Sequence, residues 1–329
     1  MRRFLPAAVV CALVACQPRS TEKTAPAPPP GPVAEAKVLL EQGQLDAALD
    51  KLQAAGQDAE GLYVQGRVWA KKAELAPAPL PPTPASPLPR GAQPPAAPEF
   101  KAEELTAVEL YERALLVQPT LWEARLALGR LLAPHTVRRH DLERELAARK
   151  KGTRKGQPTA APEAQAAVDF SVDRVLRELE GAVRDQKQGS DTVEALIEFA
   201  TRVNRVEAAE AGFQELLKRQ REKPEPLVRY GDFLLNVKKD PQAAIDEYRQ
   251  ALIWKPDEET VRTKIADIYL TQAAGYLAAQ QWGSADGQLR EAAKYITDRS
   301  SAQAVTLEGY REKLRGIRGT ERPLGVPDR

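Results

Sequence analysis

The chain has 329 residues and a nearly balanced charge, with 48 Lys and Arg against 46 Asp and Glu. A formal net charge of +2 provides no long-range field for nucleic acid, so we expect no nucleic-acid partner. Hydrophobic residues make up 43% of the chain but aromatic residues only 5%, so a core must be built mainly from Ala and Leu. This composition favours packed helices over β-sheet.

The first twenty residues, MRRFLPAAVVCALVACQPRS, have the pattern of an export signal. Arg2 and Arg3 precede an apolar stretch at 4–14 that is too short to span a bilayer. The tetrapeptide LVAC that ends at Cys16 resembles the lipobox of bacterial lipoproteins. That resemblance implies that residues 1–15 are a signal peptide and that Cys16 carries a diacylglycerol. The alternatives are an ordinary secretory signal and an apolar terminus with chance cysteines.

Lipidation at Cys16 would leave the mature chain without a free cysteine, which excludes a disulfide framework and a cysteine nucleophile. We expect residues 16–32 to form a Pro/Ala-rich tether. Gln17, where lipoproteins retained in the inner membrane tend to have Asp, favours the outer membrane. The expected location is therefore the bacterial cell envelope, with the chain anchored in the outer membrane and facing the periplasm.

Two later segments share one helical pattern, YERALLVQPTLWEARLALGRLL at 111–132 and YRQALIWKPDEETVRTKIADIYL at 248–270. In both, an aromatic residue is followed by Ala-Leu, then by a proline, then by a second amphipathic helix. This pattern resembles the tetratricopeptide repeat (TPR), a helix–turn–helix unit of about 34 residues. The resemblance is closest at 224–256. It implies an all-α, TPR-like α-solenoid of about six helix pairs with a C-terminal capping helix.

The small and large residues of the pattern predict where helices approach each other. Small side chains let two helices pack closely, and larger ones fill the space beside them. The predicted small contact points are Gly129, Gly231, Ala107, Ala244 and Ala251, and the predicted fillers are Tyr111, Phe213 and Tyr248.

The same pattern divides the chain into helical regions and insertions. Helices are expected at 33–75 and 99–133, at 163–299, and in a capping helix at 300–318, followed by a disordered tail at 319–329. A disordered Pro-rich insertion at 76–98 and a basic, flexible insertion at 134–162 interrupt the second and third units, and both are expected on the same edge of the solenoid.

Few residues have the pattern of a catalytic or metal site. His135 and His140 are the only histidines, and in a polar, basic segment they are expected on the solvated surface rather than as a metal or acid–base pair. No phosphate-binding loop, nucleophile elbow or metal-ligand motif is present in the sequence. We therefore expect no enzyme activity, no cofactor and no metal.

The basic run at 138–155 and the Pro-rich insertion each allow two interpretations. The run could contact anionic lipid, lipopolysaccharide or a cell-wall polymer, or it could be an exposed helix with a flexible tail. The P-x-x-P pattern beginning at Pro84 could be a polyproline ligand, but a spacer is expected.

In the TPR family the first helix of each unit lines a concave face that captures peptides. Transferred to this chain, the groove positions are Arg67, Lys71, Arg130, Glu198, Arg202, Asp232, Asn236, Asp267 and Thr271. This set predicts a groove that is basic toward its amino end and acidic toward its carboxyl end. Each position could equally lie on a solvated helix face.

The sequence therefore predicts a membrane-anchored scaffold that binds a protein partner during assembly of envelope complexes. The alternative is an envelope-binding protein that contacts lipid or polymer through the basic run at 138–155. The sequence identifies neither the partner nor the oligomeric state.

Overall fold

The computed structural model of the chain describes residues 31–53, 57–77, 100–152 and 168–320. These residues form α1 (Pro32–Glu41), α2 (Leu45–Gln53), α3 (Ala59–Leu75), α4 (Ala102–Val117), α5 (Trp122–Gly152), α6 (Val172–Asp185), α7 (Asp191–Arg202), α8 (Val206–Arg219), α9 (Pro224–Phe233), α10 (Pro241–Trp254), α11 (Glu259–Ala278), α12 (Trp282–Ala293) and α13 (Ala302–Thr320). A π-helical turn, Leu234–Lys238, continues α9. The signal peptide and nearly all of the tether, most of the Pro-rich insertion, and the tail lie outside the described residues, as does Cys16.

The helices pack as six consecutive pairs, α1 with α2 through α11 with α12. Each pair also contacts the next, and α13 packs on both α11 and α12. Leu307 and Leu314 of α13 are buried, so this helix covers the apolar end of the stack. The prediction of an all-α, TPR-like solenoid of six helix pairs with a capping helix is confirmed.

Close contacts between a small and a large residue hold the helix pairs together. A Cβ added at Gly231 would lie 2.5 Å from Cε1 of Tyr248, and one added at Gly66 would lie 2.6 Å from Cε1 of Tyr111. Both tyrosines are almost fully buried. Gly129 packs in the same way against Leu179, an aliphatic residue. Any side chain beyond hydrogen would force these helices apart.

The fourth pair reverses this arrangement. Ile197 occupies the first-helix position where a small residue is expected, and it is buried. The small residue is instead Gly212 on α8, where an added Cβ would lie 2.7 Å from Cγ1 of Ile197. The pair therefore keeps its close packing because the two partners have exchanged sizes.

In four of the described pairs, a short turn joins the two helices and contains a residue with positive φ. These residues are Gly43, Asn204, Lys239 and Gln280, with φ between 57° and 76°. In the second and third pairs the corresponding turn is replaced by a long connection, 76–101 and 153–171. The insertions therefore lie at equivalent positions of two neighbouring units.

Helix α5 is longer than predicted. The helix was expected to end at 133, before a flexible insertion at 134–162, but it continues through Pro134 to Gly152. Thr136 is buried on this extension, and its hydroxyl donates a 2.6 Å hydrogen bond to the carbonyl of Phe170. Tertiary contacts of this kind stabilise the helix beyond a residue that usually ends one.

Candidate functional site

A groove on the concave face is formed by α5, α7 and α9, the first helices of three neighbouring pairs. We call it the central groove, and its volume is about 880 Å³. Its floor is apolar and mostly buried, and consists of Leu179, Ile197, Phe199, Phe213 and Phe233. A concave apolar surface of this size is suited to hold side chains of a bound molecule.

The charged side chains of the central groove are Arg130, Glu194, Glu198, Arg202, Arg229 and Asp232. The arginines and the carboxylates are equal in number, so the groove has no net charge of either sign from these residues. The predicted gradient from a basic to an acidic end extends over the helix pairs on both sides of this groove and stays a prediction.

Four of the nine predicted groove residues come together here, namely Arg130, Glu198, Arg202 and Asp232. Arg67 and Lys71 lie on α3, and Asp267 and Thr271 lie on α11, outside the central groove. Asn236 is exposed on the π-helical turn and does not line the groove either.

The predicted residues outside the groove make mostly local contacts. Lys71 pairs with Glu74 at 2.6 Å within α3, and Arg67 lies over the ring of Tyr63. The hydroxyl of Thr271 donates to the carbonyl of Asp267 within α11.

Sequence reasoning missed Glu194, Arg229 and the apolar floor. Glu194 and Glu198 are one helical turn apart on α7, and Arg229 lies one turn before Asp232 on α9. This i, i+3/i+4 spacing from predicted positions was the signal that could have identified both residues.

Asp232 makes polar contacts with side chains of two neighbouring helices, α10 and α11. It accepts a 2.7 Å hydrogen bond from the hydroxyl of Tyr248 and pairs with Lys264 of α11. Burial of Tyr248, together with this hydrogen bond and the charge of Asp232, raises the pKa of the tyrosine. Much of the hydrogen-bonding capacity of Asp232 is therefore used within the solenoid.

Polar pairs link successive first helices along the concave face. They are Lys37–Glu60 between α1 and α3 (2.5 Å), Arg202–Asp141 between α7 and α5 (2.8 Å), Arg229–Glu194 between α9 and α7 (3.9 Å), Lys264–Asp232 between α11 and α9, and Gln303–Asp267 between α13 and α11 (3.0 Å). Exposed pairs of this kind contribute about 0–1 kcal/mol each. They orient the first helices relative to one another more than they stabilise them.

The two histidines are partly covered rather than fully on the solvated surface. His135 stacks on Phe100 with a centroid distance of 4.0 Å, and its Nε2 lies 3.4 Å from Oε1 of Glu104. The Nδ1 atom of His140 is buried without a hydrogen-bond partner among the described residues. Both side chains are partly covered because α5 extends past Pro134 and packs on the residues that follow the two insertions.

The residues that follow the two insertions are Phe100 and Phe170, and their ring centroids are 5.1 Å apart. The guanidinium of Arg139 lies 3.9 Å from the centroid of the Phe170 ring. The chain therefore re-enters the solenoid after each insertion at nearly the same place. The expectation that both insertions lie on one edge concerns residues outside the described ranges and stays a prediction.

Within the described ranges, no group of three or more His, Cys, Asp and Glu side chains is placed to hold a metal ion. None of the helices in those ranges combines the length and apolar character needed to cross a bilayer.

No protein-family model matches the chain, and no curated protein matches it. Solved structures with similar folds include a thermophilic TPR protein of Thermus thermophilus (16% identity, TM-score 0.36, covering 72% of this chain and 96% of that one). Others are YrrB, a TPR protein with an unusual peptide-binding site (10%, 0.38, 85% and 99%), and the C-terminal part of a TPR repeat-containing protein from Cytophaga hutchinsonii (11%, 0.45, 84% and 86%). At these scores the similarity carries no argument, and the fold assignment rests on the helix pairs of the chain itself.

Proposed function

We propose that this protein is a scaffold that binds a segment of a protein partner in the central groove. The observation that carries the proposal is an apolar, aromatic floor on the concave face with charged side chains around it. Such a surface buries apolar side chains of a partner while its rim sets their orientation. A stack of helix pairs presents this surface across several neighbouring first helices.

We further propose that the chain is anchored in the bacterial outer membrane by lipid on Cys16 and faces the periplasm. The support is the LVAC sequence that follows a basic and apolar leader. Two or more acyl chains would give stable anchoring, since each buried methylene contributes about 0.8 kcal/mol. The partner would then be a protein of the cell envelope.

The alternative function, contact with anionic lipid or polymer through the run at 138–155, is not favoured by the first half of this run. Between residues 138 and 145, Arg138, Arg139 and Arg144 are balanced by Asp141, Glu143 and Glu145. Arg139 also stacks on Phe170.

The groove proposal is tested by blocking the groove in the full-length protein. A photo-crosslinking amino acid at Ala133, which lines the groove, should give an adduct with one partner, whereas the same amino acid at the exposed Ala34 of α1 should not. The purified partner should then bind the chain directly, and Ala133→Trp should weaken that binding at least tenfold while Ala34→Trp leaves it unchanged. Equal binding to both variants contradicts the proposal.

The anchor is tested by mass spectrometry of the native protein. The mature chain should begin at Cys16 and carry acyl groups, and Cys16→Ser should abolish both features while Cys11→Ser preserves them. A native chain that keeps residues 1–15 without acylation rules out the anchor and leaves the groove proposal untouched.

A further inference from the structure

Two charged side chains of the central groove make fewer or weaker polar contacts with described residues than the other four. Glu198 is exposed on α7 and has no hydrogen bond or ion pair with any described residue. Arg130 of α5 makes one long bond, from Nη2 to the backbone carbonyl of Asp191 at 3.4 Å. Asp232, Arg202 and the pair Arg229–Glu194 already have charged partners.

The bond from Arg130 shows where its guanidinium lies along α7. Asp191 begins α7, and Glu198 lies seven residues later on the same helix. At a rise of 1.5 Å per residue these positions are roughly 10 Å apart along the axis. The positive charge of Arg130 and the negative charge of Glu198 therefore lie at two different levels along the axis of α7.

Between these levels α7 contributes Glu194, which pairs with Arg229 of α9, and α5 contributes apolar side chains. Ala133 and Pro134 of α5 line the groove one turn after Arg130. A ligand that spans both charges must therefore cross this apolar surface of α5 beside an ion pair that is already formed.

We propose that the groove selects a protein segment in which a carboxylate and a basic side chain are about 10 Å apart with an apolar residue between them. The inference rests on the proposed function and adds the chemistry of the bound segment. In a helical segment the two charges are seven residues apart, which places them on one face. In an extended segment, side chains about 10 Å apart are three residues apart and point to opposite faces, so we expect the bound segment to be helical.

The test uses two series of fluorescein-labelled synthetic peptides and the purified full-length protein. Each peptide carries one Glu, one Leu and one Arg. The sequence positions of Glu and Arg differ by one to seven across each series, and both orders of the two residues are included. A Gly-Ser background favours extended chains, and an Ala-based background favours helices. Binding is measured by fluorescence anisotropy.

We expect tightest binding at a separation of seven in the second series, whose peptides should bind more tightly than those of the first, and one order should bind at least tenfold more tightly than the reverse. The double variant Arg130→Glu/Glu198→Arg should invert the preferred order. The control Glu109→Arg/Arg299→Glu changes the same residue types at exposed positions outside the groove, and it should leave the preference unchanged.

Affinities that do not depend on separation or order overturn the inference, as does a double variant that keeps the original order, or the absence of any binding. If peptides bind and Ala133→Trp abolishes their binding, but no charge pattern is preferred, the groove function stands and only the selectivity fails. If Ala133→Trp has no effect on binding of the partner or the peptides, the groove function itself fails.

Discussion

At the scale of single residues, the solenoid depends on places where a glycine meets a large side chain. The contacts of Gly231 with Tyr248 and of Gly66 with Tyr111 leave no space for a methyl group. A second recurring device is an arginine six residues after a proline. Arg125 and Arg262 each donate two hydrogen bonds, of 2.7–3.0 Å, to the carbonyl of Pro119 or Pro256. These bonds hold the turn from one helix pair to the next.

Gly231→Ala should therefore destabilise the protein by about 1–3 kcal/mol, because the added methyl overpacks the helix pair against Tyr248. The matched control is Gly275→Ala on α11, where nothing lies within 4 Å of the new Cβ. That change should stabilise the helix by about 0.5–1 kcal/mol. Urea denaturation measures both, and a loss of stability of equal size in both variants would contradict the packing argument.

At the scale of elements, the second half of α5 is held by contacts with segments distant in sequence. Thr136, His135 and Arg139 contact Phe170 or Phe100, the residues that follow the two insertions. These contacts connect α5 to the second and third helix pairs at once. The helix therefore supports the two points at which the chain re-enters the solenoid, and it is also a wall of the central groove.

Thr136→Val should loosen this support, because it leaves the buried carbonyl of Phe170 without its hydrogen bond from residue 136, at a cost of about 1–3 kcal/mol. We expect faster hydrogen exchange at 138–150 with little change at 124–132. The control Thr271→Val removes an exposed hydroxyl that bonds within its own helix, and it should have little effect. Unchanged exchange at 138–150 in Thr136→Val would show that other contacts hold the helix.

At the scale of the whole molecule, three buried tyrosines make the stability of the helix stack depend on pH. Burial raises the pKa of Tyr111 and Tyr248 above its usual range. Burial and the neighbouring Glu210 raise the pKa of Tyr230 to about 12. The folded protein therefore holds these protons more tightly than the unfolded chain, whose tyrosines have a pKa near 10.0.

The resulting stability is fully present below pH 10 and is lost as the pH rises toward 12, because the unfolded chain releases its protons first. Urea denaturation should show a steep fall in the free energy of unfolding between pH 10 and pH 12. Tyr230→Phe should make that fall smaller, whereas Tyr310→Phe on the capping helix serves as the control. A fall of the same size in Tyr230→Phe would exclude Tyr230 as a cause.

Much of the architecture could be predicted from the sequence. The aromatic, small and proline positions at 111–132 and 248–270 predicted paired helices because helical periodicity is a local property. Gly231 and Tyr248 were identified as contact points for the same reason. The expected end of α5 at 133 was wrong because the local signal of Pro134 is outweighed by contacts with Phe100 and Phe170.

The sequence by itself determined the helix pairs, their order and which positions must be small, since these follow from spacing along the chain. Only the tertiary structure decided which charges of the concave face are engaged. Asp232 is held by Lys264, and Arg202 by Asp141, at separations of 32 and 61 residues. Pairs so distant in sequence leave no periodic trace, because they depend on how neighbouring units stack, and this stacking leaves Glu198 and Arg130 available in the groove.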